Sequence, residues 1–348
     1  MRLARTLGLR YPLVQAPMAG TSTPALAAAV CEAGALGSIA VGAVDAGAAR
    51  AMIADLRGRT ARPFNVNAFV HRKADRDAAL ERAWIAAMRP LFERFGAQPP
   101  EDLREIYRSL NDDPDMLEVL IEAAPAVVSF HFGLPLPKTV AALKARGSLL
   151  VASATSLAEA EAGVAAGMDA IVAQGFEAGG HRGVFDPDAP DARLGTLDLV
   201  RQLTGRIGLP VIAAGAIMDG EEIRAALDAG ADAVQMGTAF VGCPESAADE
   251  GYRALLAEAA GTTLTAAISG RPARCLDNAF VAWAREATAT IPGYPMTYDA
   301  GKALIAAAKA AGELGWGAHW AGTAFARARP MPAGELVEVL AREAGFDA

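Results

Sequence analysis

The sequence predicts an α/β fold, a (β/α)8 TIM barrel with a helical insertion and a smaller cap region, and three observations lead there. Eight short apolar runs recur along the chain, helix-length Ala/Glu/Arg segments separate most of them, and the runs are apolar almost throughout rather than alternating. Continuous apolar character marks strands covered on both faces, as a parallel sheet with crossover helices requires, and eight such strands closing on themselves make a barrel. Length agrees, because 348 residues exceed most single cores yet lie within the range of α/β barrels that carry insertions.

In chain order the runs are LVQAPM (13–18), LGSIAV (36–41), FNVNAF (64–69), AVVSFHF (126–132), LLVASA (149–154), AIVAQG (170–175), PVIAAG (210–215) and AVQMG (233–237). Glycine punctuates the returns from helix to strand, as in AGALG at 33–37, AGMDA at 166–170 and AGADA at 229–233. Any α/β protein reuses this turn chemistry, so the echo supports the fold and is silent on function. Two stretches break the alternation. Residues 72–125 are too long for one crossover helix, and WIAAMRPLFERF and LREIYRSL read there as extra helices around a Pro99-Pro100 break. From Cys243 to about Pro295, helical composition at 252–259 gives way to the loop-rich TIPGYP, which reads as a cap over the barrel mouth. The expected division is therefore a barrel of residues 1–242 and 296–348, with the insertion at about 72–125, and a smaller cap or substrate region at 243–295. The closing GELVEVLAREAG is amphipathic and suits the outside of the barrel.

Composition narrows the partners. A net charge of −8 without Lys/Arg clusters or interleaved aromatics argues against nucleic acid and acidic membranes. Hydrophobic content of 53% is high, but much of it is alanine in segments such as PALAAAV and ALIAAAKAA, and no apolar run approaches the ~18 residues of a membrane span. No signal-peptide core precedes Tyr11, so a cytoplasmic protein is expected. Cys31, Cys243 and Cys275 are too few and too scattered for a disulfide framework or a zinc site, and no metal is expected.

The most informative segment is AQGFEAGGHRG, Ala173 to Gly183, where a strand-like run ends in a glycine-flanked histidine. Glycines let backbone approach a ligand, and histidine suits proton transfer near neutrality, so His181 is the first candidate for chemistry. The plain alternative is a tight turn that exposes a histidine. Barrel sites sit at the C-terminal ends of the strands, which gives positional meaning to Gln15, Ala16, Pro17 and Met18, to Asn67, His131 and Gln174, and to Gly215-Ala216 and Gly237-Thr238. The last two loops are where barrels commonly hold phosphate, so a phosphorylated cofactor is implied. Neutral Asn and Gln near the other strand ends suit a heteroaromatic ring. Met18 as plain core and Asn67 as a structural cap are the competing readings. His131 reads equally as a substrate contact or a structural histidine, while packing or exposure accounts for His71 and His319. No GxGxxG follows the first strand, which removes one sign of NAD(P)H binding.

The combination of QAPM (15–18), the following TPALAAAVCEAGALGSIA, PFNVN (63–67), VVSFHFGLP (127–135), AQGFEAGGHRG, PVIAAGAIMDG (210–220), AVQMGTAFVGCPES (233–246) and WAG (320–322) resembles the nitronate monooxygenase family, the 2-nitropropane dioxygenase-like FMN enzymes, and in particular its class I members. The resemblance covers most of the chain. QAPM, AGGHRG and QMGTAF mark the wider FMN superfamily, whereas FNVN and SFHFGLP narrow it toward the monooxygenases. One departure is Thr323, where the family often has glutamine.

The resemblance implies FMN as cofactor, with Ala16, Pro17, Met18, Asn67, Gln174, Gly179, Gly180, Gly215, Ala216, Gln235, Gly237 and Thr238 as its binding set. It also implies His181 as the catalytic residue beside the flavin ring, while position places His131 and Tyr298 toward substrate. The implied activity is oxidation of alkyl nitronates, propionate 3-nitronate among the candidates, by dioxygen to carbonyl compounds and nitrite. Two alternatives stay open. FMN-dependent NAD(P)H-oxidising reductases, of the enoyl-ACP reductase or NADH:quinone reductase type, share QAPM-like and AGGH segments. A non-catalytic flavin-binding module is the reading from another class. SFHFGLP favours the monooxygenase, and the full strand-end set with His181 disfavours the inactive module.

Overall fold

The eight apolar runs become the eight strands of one parallel barrel, described by a computed structural model over residues 1–73 and 75–346. They are β1 (Leu13–Gln15), β2 (Gly37–Ala40), β3 (Phe64–Phe69), β4 (Val127–His131), β5 (Leu149–Ala154), β6 (Ala170–Gln174), β8 (Val211–Ala214) and β9 (Ala233–Met236). Neighbours run β1-β9-β8-β6-β5-β4-β3-β2. The ring closes between its ends, where the Gln15 N–H donates to the Leu36 carbonyl at 2.9 Å and the Leu36 N–H to the Leu13 carbonyl at 2.9 Å. A separate antiparallel sheet joins β7 (Gly180–His181) to β11 (Ala273–Leu276) and β10 (Thr262–Thr265).

The helices are α1 (Arg2–Leu7), α2 (Pro24–Glu32), α3 (Ala46–Arg59), α4 (Ala78–Arg94), α5 (Pro114–Ala123), α6 (Pro137–Ala145) and α7 (Leu157–Ala165), followed by α8 (Thr196–Thr204), α9 (Gly220–Asp228), α10 (Thr238–Val241), α11 (Glu250–Glu258), α12 (Ala279–Glu286), α13 (Met296–Ala310) and α14 (Ala333–Glu343). Local chemistry sets where several crossover helices begin. The side chains of Thr23, Asp45, Ser156 and Asp219 each accept an N–H from the first turn of α2, α3, α7 and α9. At the return from α2 a Cβ on Gly37 would lie 2.0 Å from the Ala27 carbonyl oxygen, so glycine is what lets β2 pass this close to the helix. The bottom of the barrel is plugged by α1. Leu3 packs with Val14, Val151, Val172 and Ile212, and the Asp232 carboxylate accepts the Arg2 and Leu3 N–H groups at 2.6 and 2.7 Å. The terminal helix α14 lies on the outer layer against α2 and α9.

A second apolar core stands beside the barrel. Trp84, Ile85, Met88 and Phe92 of α4 pack with Ile268, Cys275, Phe280, Met296, Leu304 and Trp316, so the inserted helix shares its interior with elements some two hundred residues away. The segment LREIYRSL is not the helix its composition predicts. Residues 103–109 are irregular, because their backbone bonds outward instead of along the chain: the Arg104 N–H donates to Asp299 Oδ2 at 2.9 Å and the Leu103 carbonyl accepts from Arg76 Nη2 at 2.8 Å. Tertiary partners have overridden propensity there, and Tyr107 is buried as a result. No described helix is long and apolar enough to cross a membrane. The three cysteines are free and buried, and burial raises each thiol's pKa, which makes them unreactive.

Candidate functional site

The position of His181 is fixed from both sides. In β7 it pairs with Ala273 of β11, and its carbonyl accepts from Gln174 Nε2 at 2.9 Å and from His131 Nε2 at 3.1 Å. Since a carbonyl only accepts, His131 carries its proton on Nε2, and its Nδ1 accepts from the Ser153 hydroxyl at 2.9 Å. Gln174 is spent as well: its Oε1 accepts the Gly183 N–H at 2.7 Å. The loop that sequence reading singled out is therefore held by two of the strand-end residues read beside it.

The His181 ring lies among aromatic groups, with centroids 5.2 Å from Trp320, 5.4 Å from Phe132, 5.8 Å from Tyr294 and 6.0 Å from Tyr298. Its Nε2 is 2.9 Å from Ser269 Oγ. Burial first, then His131 and the Arg271 guanidinium, push its pKa down to about 3, so the ring is neutral at physiological pH. Arg271 is itself buried, stacked 4.4 Å over Phe132, and bonds the Val184 carbonyl.

Three side chains that the sequence did not single out complete this wall. Lys302 Nζ donates to the Tyr107 hydroxyl at 2.7 Å and stands 5.2 and 6.0 Å from the ring centroids of Tyr107 and Tyr298. Tyr294 packs between His71, Phe132 and His181. Burial lowers the Lys302 pKa and raises those of Tyr107, Tyr294 and Tyr298, leaving neutral phenols beside an ammonium. A signal for Lys302 existed, since it lies four residues after Tyr298 on one face of α13. Tyr107 had none, because its segment reads as helix.

Apart from Asn67, which lies in β3, the other predicted cofactor residues gather at the ends of β1, β6, β8 and β9. Among the described residues, the N–H groups of Gly179, Gly215, Ala216, Gly237, Thr238 and Ala239 meet no protein acceptor. They are contiguous. A Cβ on Gly215 would lie 3.1 Å from the Ala178 nitrogen, one on Gly179 would lie 2.4 Å from the Gly322 nitrogen, and the Gly322 N–H donates to Thr238 Oγ1 at 3.0 Å. Gly179 and Gly215 thus have packing reasons to be glycine, and Gly180 has a backbone reason at φ +73°. Gly237 has neither. Its φ of −107° is open to any residue, and a Cβ would make ordinary contacts at 3.4 Å with Ala16 Cβ and Met18 Sδ. Neither the backbone nor the packing within the chain requires glycine here.

Ala16 and Met18 are thus the side chains nearest Gly237, with Pro17 half-buried between them. Asn67 Nδ2 bonds Ser129 Oγ at 3.0 Å, while the Gln235 amide bonds no described residue. Gln15 is structural: it is fully buried, and its Oε1 accepts the Ser38 N–H at 2.8 Å. His71 and His319 are both buried, His71 against Tyr294 and His319 beside Asn278 at 2.9 Å, so packing describes them and exposure does not. The Thr323 side chain is exposed, and only its N–H is engaged, with the Glu177 carbonyl.

All four histidines have pKa values lowered mainly by burial, to about 4 at His71, His131 and His319 and about 3 at His181. Unfolded histidine takes up a proton near 6.5, before the folded chain does, so the unfolded state binds more protons and stability falls as pH drops below that value. Each histidine contributes a slope of up to ~1.4 kcal/mol per pH unit. Urea midpoints should fall steadily from pH 7.5 to 5.5, a window above the carboxylate range, and a flat profile would contradict the burial of these rings.

A (β/α)8 barrel with unpaired backbone donors at its strand ends and a sheltered histidine in its mouth is the architecture of a barrel enzyme. The chain belongs to the nitronate monooxygenase family, whose model matches residues 1–343. It is 60% identical over 340 residues to the nitronate monooxygenase of Paraburkholderia phytofirmans, covering 97% of this chain and 93% of the relative. It is 54% identical to that of Pseudomonas aeruginosa, with 98% of each chain covered. Among solved structures, nitroalkane oxidase from Streptomyces ansochromogenes superposes with a TM-score of 0.91 at 40% identity over 98% of both chains. FabK from Thermotoga maritima superposes with a TM-score of 0.73 at 29% identity, over 99% of this chain and 96% of its own.

Proposed function

We propose that this enzyme is an FMN-dependent nitronate monooxygenase that oxidises alkyl nitronates with dioxygen to a carbonyl compound and nitrite. The observation that carries the reading is that Tyr298 stands between a neutral, desolvated His181 and Lys302, a solvent-exposed cation that forms no ion pair among the described residues. A nitronate is an anion that has already lost its α-proton. It needs a cation to hold it and no strong base, which matches this wall.

The strand ends fit FMN. The N–H groups of Gly215, Ala216, Gly237, Thr238 and Ala239 would hold its phosphate, and the missing side chain at Gly237 suits close approach of an anion to backbone. Asn67 and the free amide of Gln235 would face the ring system. Gln174 acts through the loop, by holding His181 and Gly183. Bound there, FMN supplies the redox chemistry that carries electrons from the nitronate to dioxygen. The chain's own part is positional. Lys302 attracts the nitronate oxygens, Tyr107 orients Lys302 by accepting from its Nζ, and Phe132, Tyr294, Tyr298 and Trp320 exclude water around the reacting carbon.

A substrate panel with dioxygen consumption and nitrite release tests the reading: alkyl nitronates should be turned over far faster than the corresponding neutral nitroalkanes. Lys302→Met should raise the nitronate KM and lower kcat/KM by about 30-fold, the equivalent of ~2 kcal/mol for a charged hydrogen bond. An unchanged KM would remove Lys302 from the site.

A further inference from the structure

Hydrogen-bond accounting around Ser269 decides which nitrogen of His181 carries the proton. Ser269 is fully buried on the turn before β11, and that turn is pressed against α13 so closely that a Cβ on Gly301 would lie 2.3 Å from the Ile268 carbonyl oxygen. Ser269 Oγ is 2.9 Å from His181 Nε2, 3.2 Å from the Arg271 carbonyl oxygen and 3.4 Å from the Arg271 nitrogen. The hydroxyl has one proton to give. Given to His181, it would leave the carbonyl of Arg271, a residue only 2% exposed, without any donor among the described residues. Given to that carbonyl, it leaves the oxygen's lone pairs to accept from the Arg271 N–H and from a protonated His181 Nε2, and every group is satisfied. His181 Nδ1 bonds no described residue and is not among the sealed, partnerless buried atoms.

We propose that Ser269 is a positioning residue that fixes His181 as the Nε2–H tautomer, so that Nδ1 is the lone-pair nitrogen presented to the pocket. The inference rests on the reading of His181 as the residue beside the reacting substrate. Any proton removed from a neutral nitroalkane then goes to Nδ1, with Nε2–H anchored on a hydroxyl that cannot move. A substrate already in the nitronate form meets an uncharged acceptor edge.

Histidine-labelled 15N NMR of the flavin-loaded protein at neutral pH reads the tautomer directly, with the His181 signals identified by their loss in His181→Asn. Wild type should show Nε2 protonated and Nδ1 unprotonated. Ser269→Thr should keep that pattern, and Ser269→Ala should mix it with the Nδ1–H form while lowering nitroalkane kcat roughly five- to tenfold at unchanged KM, the worth of one hydrogen bond. A wild-type ring protonated on Nδ1, or a pattern that Ser269→Ala leaves unchanged, would overturn the proposal. Catalytic loss in His181→Asn bears on the site reading alone, and the tautomer pattern bears on Ser269 alone.

Discussion

Gly237→Glu is expected to yield a folded protein without flavin. The backbone at Gly237 suits any residue, and the new Cβ would meet Ala16 and Met18 only at ordinary distance, so the barrel has no reason to unfold. The carboxylate would instead stand at the donor cluster where a phosphate is to sit. Two like charges ~4 Å apart at an effective dielectric of ~20 repel by about 4 kcal/mol, roughly a thousandfold in affinity. Gly237→Ala adds bulk without charge and should lose far less. The flavin absorbance of the purified variants, with circular dichroism as the folding control, decides the matter: a folded Gly237→Glu protein at full FMN content would place the phosphate elsewhere.

His181→Asn should separate two substrates. A neutral nitroalkane must lose its α-proton before oxidation, whereas a nitronate has lost it already, and positioned bases are worth ~10²–10⁴-fold. Burial keeps His181 a weak base, so wild-type nitroalkane turnover should be slow from the outset. The substitution should remove most of what remains while sparing more of the nitronate rate at equal flavin content. Small, equal losses on both substrates would reduce His181 to a turn residue.

What the sequence made legible was the part encoded locally. Strands buried on both faces are written as continuous apolar runs, so all eight barrel strands could be placed, and barrel geometry then drew attention to their C-terminal ends. The glycine returns from helix to strand, such as the one at Gly37, are equally local. Partnerships across the chain were not legible. LREIYRSL has a helical composition, yet Asp299 and Arg76 take its backbone bonds and deliver Tyr107 to Lys302. Trp84 and Met88 of α4 carry an ordinary amphipathic stripe, and nothing in it names Leu304 or Trp316 as the surface it meets. Gln174 shows the same limit within the site. A polar residue at a strand end reads as a ligand for the cofactor, but its two amide ends are consumed by the loop that carries His181.

The most direct measurement of the central claim is anaerobic stopped-flow reduction of the bound flavin, with an alkyl nitronate, NADH and NADPH as donors in parallel. A site built to hold an anion on Lys302 beside a neutral His181 should give rapid bleaching with the nitronate and slow or no bleaching with either nicotinamide. Fast reduction by NADH or NADPH with an inert nitronate would contradict the account and make the protein a flavin reductase on the same barrel.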